Sequence, residues 1–251
     1  MPSPSKNEGA ALTILSGRPA SLHGSIIMVL GDPDTVLTRA SAYSVLAILF
    51  QYPGDEVADL LFGGWAAGVL IGCAGSLAEL GYESPKLFKE LAEVLKRHSE
   101  SELSSLREEY ARLFISSQTK PACQPYSSAY LQVQSGQPSV KAFEVSDALR
   151  SWGLEISEEF GYSPEHLALE LEFAAYLLER ARSGILEGDP DEAEKAERDF
   201  FLLLTHMAEW VPRFSECVTR EAQIELYEAA GKALKSFIED EAKFAGIVRS
   251  R

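Results

Sequence analysis

The sequence predicts an all-α fold, a single irregular helical bundle, on three observations. Nearly every apolar segment repeats at intervals of three or four residues, the period of one helix face. Helix-start signals recur along the chain: Ser99-x-x-Glu102, Ser163-Pro164 and Asp189-Pro190-Asp191-Glu192. No window alternates apolar and polar residues over the length of a strand. The chain has 251 residues, 46% hydrophobic and 24% charged, enough to bury one substantial core without a disulfide framework. No fixed-period self-similarity is present, which disfavours a helical solenoid.

Residues 1–31 read as a flexible N-terminal lead and 32–245 as one domain. The first 27 residues hold five Ser, three Pro and three Gly, without the basic stretch and long apolar run of a secretory signal. Thr35–Gln51 reads as the first helix, with Tyr43, Leu46, Ala47 and Phe50 on one face, and Tyr52-Pro53-Gly54 ends it. Leu60–Ala78 is nineteen residues without a charge. Its five glycines and its flanking acids Asp59 and Glu79, with no Lys or Arg anchors, favour a buried, glycine-interrupted core helix over a membrane span.

Lys86–Arg97 is a short amphipathic helix. Ser99 and Glu102 form a capping box for a helix whose stripe is Leu103, Leu106, Tyr110, Leu113 and Phe114, broken near Pro121. Pro125–Pro138 is irregular, and Ser139–Gly153 is helical with Gly153 as its stop. Ser163 as cap and Pro164 in the first turn start a helix that runs to about Ser183, before Gly184. Asp189 and Glu192 start the next, buried through Ala193, Ala196, Phe200, Leu203, Met207 and Trp210 and ended by Pro212. Thr219 caps a last helix carrying Ile224, Tyr227, Leu234 and Phe237.

Charge and missing motifs narrow the function. With 23 Lys and Arg against 38 Asp and Glu, the net charge is −15, which repels nucleic acid and anionic lipid and favours basic peptides or proteins as partners. Cys73, Cys123 and Cys217 are widely spaced and odd in number, a pattern of free thiols in a reducing compartment and not of a staple or metal knuckle. The chain lacks G-x-G-x-x-G, G-x4-G-K-[ST], H-E-x-x-H and G-x-S-x-G. None of His23, His98, His166 and His206 follows a Glu at the spacing of di-iron bundles. No catalytic residue, metal or cofactor is assigned, and binding takes precedence over catalysis. The competing expectation is a helical-bundle metal- or cofactor-binding enzyme built on His166, Glu170 and His206.

Three clusters carry the candidate site. Glu109–Phe114 leads into Pro125-Tyr126-Ser127-Ser128-Ala129-Tyr130, a proline-bounded loop whose aromatics offer an apolar wall, and phenol hydroxyls, to an extended peptide. Tyr110 and Phe114 are expected in the core. Ser163-Pro164-Glu165-His166-Leu167 places an acid at a helix start, where backbone N–H groups favour it, with Glu170 in reach of His166 one turn on. From Glu144 to Glu172 there are eight acids and one base, Arg150, an excess suited to a partner's guanidinium groups. His206 and Trp210, with Phe200 and Phe214, have the spacing of core residues.

These clusters together resemble the redox-enzyme maturation (TorD-like) family, the chaperones of trimethylamine-oxide, dimethyl-sulfoxide and nitrate reductases. The resemblance rests on Glu108-Glu109-Tyr110-Ala111-Arg112-Leu113-Phe114, Pro125-Tyr126-Ser127-Ser128-Ala129-Tyr130, Pro164-Glu165-His166-Leu167 and Phe201…His206…Trp210. Tyr43…Leu49-Phe50…Tyr52-Pro53 is similar to the family's opening helix. Where the family has Asp before the His, this chain has Glu165. The resemblance implies an all-α chaperone, not an enzyme, that acts in the cytoplasm. Its partner would be the catalytic subunit of a molybdenum-containing reductase or that subunit's twin-arginine leader, held until the cofactor is inserted. It places leader binding at Pro125, Tyr126, Glu165 and His166, to which the residue patterns add Tyr130 and Glu170. The oligomeric state stays open between a monomer and a domain-swapped homodimer.

Overall fold

A computed structural model of the chain describes residues 30–115, 120–131, 140–156, 161 and 163–247, with the backbone alone at 100 and 140–144. The expected lead, apart from its last two residues, lies outside that range. Nine α-helices are formed among the described residues. They are α1 (Pro33–Leu49), α2 (Asp55–Phe62), α3 (Trp65–Glu79), α4 (Ser84–Arg97), α5 (Leu103–Tyr110), α6 (Val140–Ser151), α7 (Leu167–Glu187), α8 (Pro190–Glu221) and α9 (Glu225–Phe244). Among the described residues there is no strand, and one isolated bridge pairs Tyr126 with His166. The fold is all-α, as the sequence predicts. α7 packs on α1 and α8, α8 on α9, α9 on α4 and α4 on α3, so the first and last helices enclose one core.

α1 begins where Asp32 caps it, its Oδ1 accepting from the N–H groups of Asp34 (3.0 Å) and Thr35 (3.2 Å). The core begins earlier: Leu30 is buried, and its carbonyl accepts from Nη1 of Arg39 at 2.7 Å. Arg39 is itself fully buried, in a bidentate pair with Glu241 of α9.

The uncharged stretch expected as one core helix is two. α2 and α3 meet at an angle of 49°, and Gly64, at φ 87°, supplies the left-handed residue that the turn needs. No single helix among the described residues is long and apolar enough to cross a membrane, though the bent pair passes by length and composition. Ala66, Ala67, Leu70, Cys73, Ala74 and Leu77 turn into the core. Gly68, Gly72 and Gly75 face outward, and a Cβ added at any of them meets no atom within 4 Å. Since helical Gly is less favourable than Ala by about 0.5–1 kcal/mol, replacing all three by Ala should raise stability by about 1.5–3 kcal/mol. Urea denaturation would show it, and a lower midpoint would refute it.

Other boundaries move for tertiary reasons. The capping box keeps one half: Oε2 of Glu102 accepts from Ser99 N–H at 3.1 Å, and a 3₁₀ turn over Glu100–Glu102 precedes α5. α7 starts at Leu167, after Ser163-Pro164, and continues past Gly184 to Glu187, where Gly188 (φ 75°) ends it. At Gly184 the next helix comes close, a Cβ there lying 2.8 Å from the Ala193 nitrogen. Asp189 caps α8 as expected, with Oδ1 accepting from Glu192 N–H at 3.1 Å. Pro212 does not end α8, which runs on to Glu221. A mid-helix proline loses one hydrogen bond and crowds a carbonyl, and burial of Trp210, Val211, Phe214 and Val218 on both sides of it outweighs that cost. Thr219 therefore lies inside α8, and Ile224 takes the cap position of α9.

The cysteine expectation is corrected. Cys123 and Cys217 are joined in a disulfide across 94 residues, with Cα atoms 5.8 Å apart. The cysteine argument for a reducing compartment falls with it. Cys73 alone is a free thiol, buried in the core.

Candidate functional site

The site is assembled where the chain after α5 returns to the start of α7. α5 passes into a five-residue π-helical turn, Ala111–Ile115, which carries Leu113 and Phe114 into the core. Tyr110 is also core, its hydroxyl donating to the Phe50 carbonyl at 3.1 Å. Glu109 turns inward as well. Burial works against its charge, yet bonds from Arg112 (2.7 and 2.9 Å) and from Gln223 N–H (2.6 Å) hold its carboxyl below the usual range and tie α5 to the α8–α9 turn. The returning segment is pinned by Ala122 N–H to Arg112 O (3.3 Å), Cys123 N–H to Leu113 O (2.8 Å) and the disulfide to α8.

The loop then docks on the helix start. Ser127 N–H donates to the Glu165 carbonyl at 3.1 Å and Leu167 N–H to the Pro125 carbonyl at 2.9 Å, so Tyr126 lies opposite His166. Their rings meet edge to face, 5.1 Å between centroids. The Glu165 carboxylate closes the junction by accepting from Ser128 N–H at 3.2 Å. A 3₁₀ turn, Ser127–Ala129, brings Tyr130 back over the core. Its ring stacks on Trp210 at 5.8 Å and meets Phe214 edge-on at 6.1 Å. Partial burial pushes the Tyr130 hydroxyl up to about 12.

His166, not Ser163, caps α7. Its Nδ1 accepts from Ala168 N–H at 3.1 Å, and burial pushes the imidazole down to about 4, so the ring is neutral and able to accept near pH 7. The usual preference for Ser, Asp or Asn as caps points away from such a histidine. Glu170 corrects the expectation of a second surface acid paired with His166. It is fully buried, and its carboxylate meets Nε2 of His206 at 2.9 Å and Nε1–H of Trp210 at 3.1 Å. Burial pushes its carboxyl up, opposed by the two partners. His206 and Trp210, expected as core, underlie the site through this one carboxylate.

The arrangement does not favour the enzyme alternative. Glu170 and His206 meet, but the Nδ1 of His166 is engaged in the cap. Among the described residues no three His, Cys, Asp or Glu side chains are grouped to hold a metal. The acidic excess also resolves. Glu158 and Glu159 lie outside the described residues, as does the side chain of Glu144. Asp147 pairs with Arg150 at 2.9 Å, and Glu170 is buried. Glu165 is half-exposed at the junction, and Glu155 and Glu172 are exposed.

The sequence model of the nitrate reductase delta subunit family matches residues 78–216, more than half of the chain. The chain belongs to this family. The matched span contains the whole junction: Glu109, the Pro125–Tyr130 loop, Glu165–Glu170, His206 and Trp210. Among named relatives, the chaperone protein TorD of Vibrio cholerae is 27% identical over 157 residues, 61% of this chain and 69% of that protein. TorD of Photobacterium profundum is 24% identical over 194 residues, 77% and 83% of the two chains. The selenate reductase assembly chaperone protein of Thauera selenatis is 33% identical over 104 residues, 41% of this chain and 49% of its own. A crystal structure of a candidate redox enzyme maturation protein from Archaeoglobus fulgidus has the same fold. Its TM-score is 0.52 at 22% identity, and the match covers 80% of this chain and 93% of that one.

Proposed function

We propose that this chain is an assembly chaperone for a molybdopterin-containing oxidoreductase. It binds the twin-arginine leader or the apo form of the catalytic subunit in the cytoplasm and releases it once the cofactor is inserted. It acts by binding and not by turnover. Relatives named as TorD and as a selenate reductase assembly chaperone support the reading. One observation carries it to residues: the paired backbone bonds between Pro125–Ser127 and Glu165–Leu167 put an aromatic ring and a carboxylate side by side at a single junction. Tyr126 supplies apolar contact, and Glu165 meets an arginine through charge-assisted hydrogen bonds. Pro125 and Tyr130 hold the loop. His166 and Glu170, buried beneath it, are positioning residues that set the helix start against the loop.

Calorimetric titration with a synthetic peptide, an Arg-Arg pair followed by an apolar run, tests this. Glu165→Ala and Tyr126→Ala should each weaken binding about ten- to a hundredfold, the value of one charge-assisted bond or one buried aromatic contact. If Glu165 serves only the local backbone, its removal should lower stability by about 0.3–1 kcal/mol and leave affinity unchanged. Unchanged affinity in both variants would remove the junction from the binding site.

A further inference from the structure

A second feature begins one turn along α7 from His166. Leu169, Phe173 and Tyr176 share one face of the helix at i, i+4 and i+7, and they form one wall of a groove of about 240 Å³. Leu149, at the end of α6, and Leu154 and Ile156 after it form the other wall. The wall is braced from behind. Trp152 Nε1–H donates to Asp199 of α8 at 2.8 Å, Lys195 Nζ lies 3.9 Å over the Trp152 ring and donates to Ser151 O at 2.7 Å, and the Trp152 ring meets Tyr176 edge to face.

Two carboxylates, Glu155 and Glu172, stand at the rim, and no Lys or Arg is among the described lining residues. Neither acid has a hydrogen-bond or ion-pair partner among the described residues, whereas Asp147, Glu192 and Glu216 each hold a cation. The apolar surroundings push the Glu172 carboxyl above the usual range. An apolar groove whose only charges among the described residues are two acids without a cation partner is complementary to an apolar segment that carries cations. Arginine suits the rim better than lysine, because its guanidinium is weakly hydrated and pairs with a carboxylate through two bonds.

We infer that this α6–α7 groove receives the apolar stretch of an arginine-bearing peptide, with Glu155 and Glu172 meeting its guanidinium groups. The inference rests on the reading of the chain as a leader-binding chaperone, and it adds a second contact beyond the Tyr126–Glu165 junction. From Leu169 to Tyr176 the helix rises about 10 Å, which matches about three residues of extended peptide. The occupant is therefore a short apolar run next to the arginines and not a whole folded domain.

The test titrates the same Arg-Arg peptide, and a Lys-Lys version, into the full-length protein. Glu155→Gln/Glu172→Gln, a change of two exposed acids that leaves the core intact, should weaken the Arg-Arg peptide about tenfold and flatten the salt dependence of binding. It should also narrow the preference for Arg over Lys. Leu154→Asp, with its fold checked by circular dichroism, should weaken both peptides. If both groove variants bind as wild type does while Tyr126→Ala is impaired, the groove is overturned and the leader reading stands. If the wild-type protein does not bind the peptide, both fall.

Discussion

Glu241→Ala should cost about 3–5 kcal/mol of folding stability, because it strands a charge that has no route to water. Arg39 and Glu241 are both 0% exposed. The guanidinium gives its Nε–H (2.7 Å) and Nη2–H (2.8 Å) to the two carboxylate oxygens, which also accept from the hydroxyls of Tyr82 (2.7 Å) and Tyr43 (3.1 Å). Burial alone would lower the Arg39 pKa, and the charge of Glu241 reverses that and raises it. Burial first, and then the same carboxylate, raise both phenols, so they remain donors. Without Glu241, Arg39 keeps, among the described residues, only the Leu30 carbonyl and the faces of Phe200 (5.2 Å) and Phe244 (4.9 Å). Arg39→Met/Glu241→Met should recover a large part of the loss, since apolar residues of similar volume often replace a buried pair without penalty. Urea denaturation of the single and double variants measures it, and a loss below about 1 kcal/mol in Glu241→Ala would contradict it.

Acidification should weaken the fold through His166. The buried imidazole titrates at about 4, against 6.5 for the exposed group. Between these values the unfolded chain takes up a proton that the native state refuses, so the stability contributed by neutral His166 is complete above pH 6.5 and is lost as pH falls toward 4. The shift corresponds to about 3 kcal/mol at most. Protonation would also turn Nδ1 from the acceptor of the Ala168 N–H into a donor facing it, so the α7 cap and the Tyr126 junction should open together. His166→Asn keeps a capping side chain and removes the titration. Its stability should fall less steeply than wild type over this window, by about the same 3 kcal/mol. Glu170, whose carboxyl is raised, acts in the opposite direction and loses its contribution as pH rises through its folded value. That term is common to both proteins and cancels in the comparison. Parallel stability-against-pH curves would refute the assignment.

The all-α architecture was legible because periodicity and capping are local. Tyr43, Leu46, Ala47 and Phe50 can be placed on one buried face from residues three or four apart, and Asp189 can be assigned to the α8 cap from Glu192 alone. The two site segments were legible as segments, through the prolines and aromatics of Pro125–Tyr130 and the acid and histidine at 165–166. What each residue does there was not, because it depends on neighbours far away in the chain. Glu170 looked like a helix-surface acid, since its four-residue spacing from His166 says nothing of a Trp210 forty residues later whose N–H draws the carboxylate inward. His166 became the cap because the loop from Pro125 fixes the backbone at Leu167, one residue on. Pro212 stayed within α8 because burial on both sides of it outweighs one lost hydrogen bond.

The sequence by itself determined that the fold is all-α, where most of its helices lie and how acidic the chain is, and it marked the two segments that meet at the candidate junction. Only the tertiary structure decided which polar groups are sealed inside. The Arg39–Glu241 pair spans 202 residues, the Cys123–Cys217 bond 94 and the Glu170–His206 contact 36. A buried charge or thiol is tolerable only when a partner arrives to satisfy it, and arrival across such distances is a property of the packed bundle, not of any local pattern.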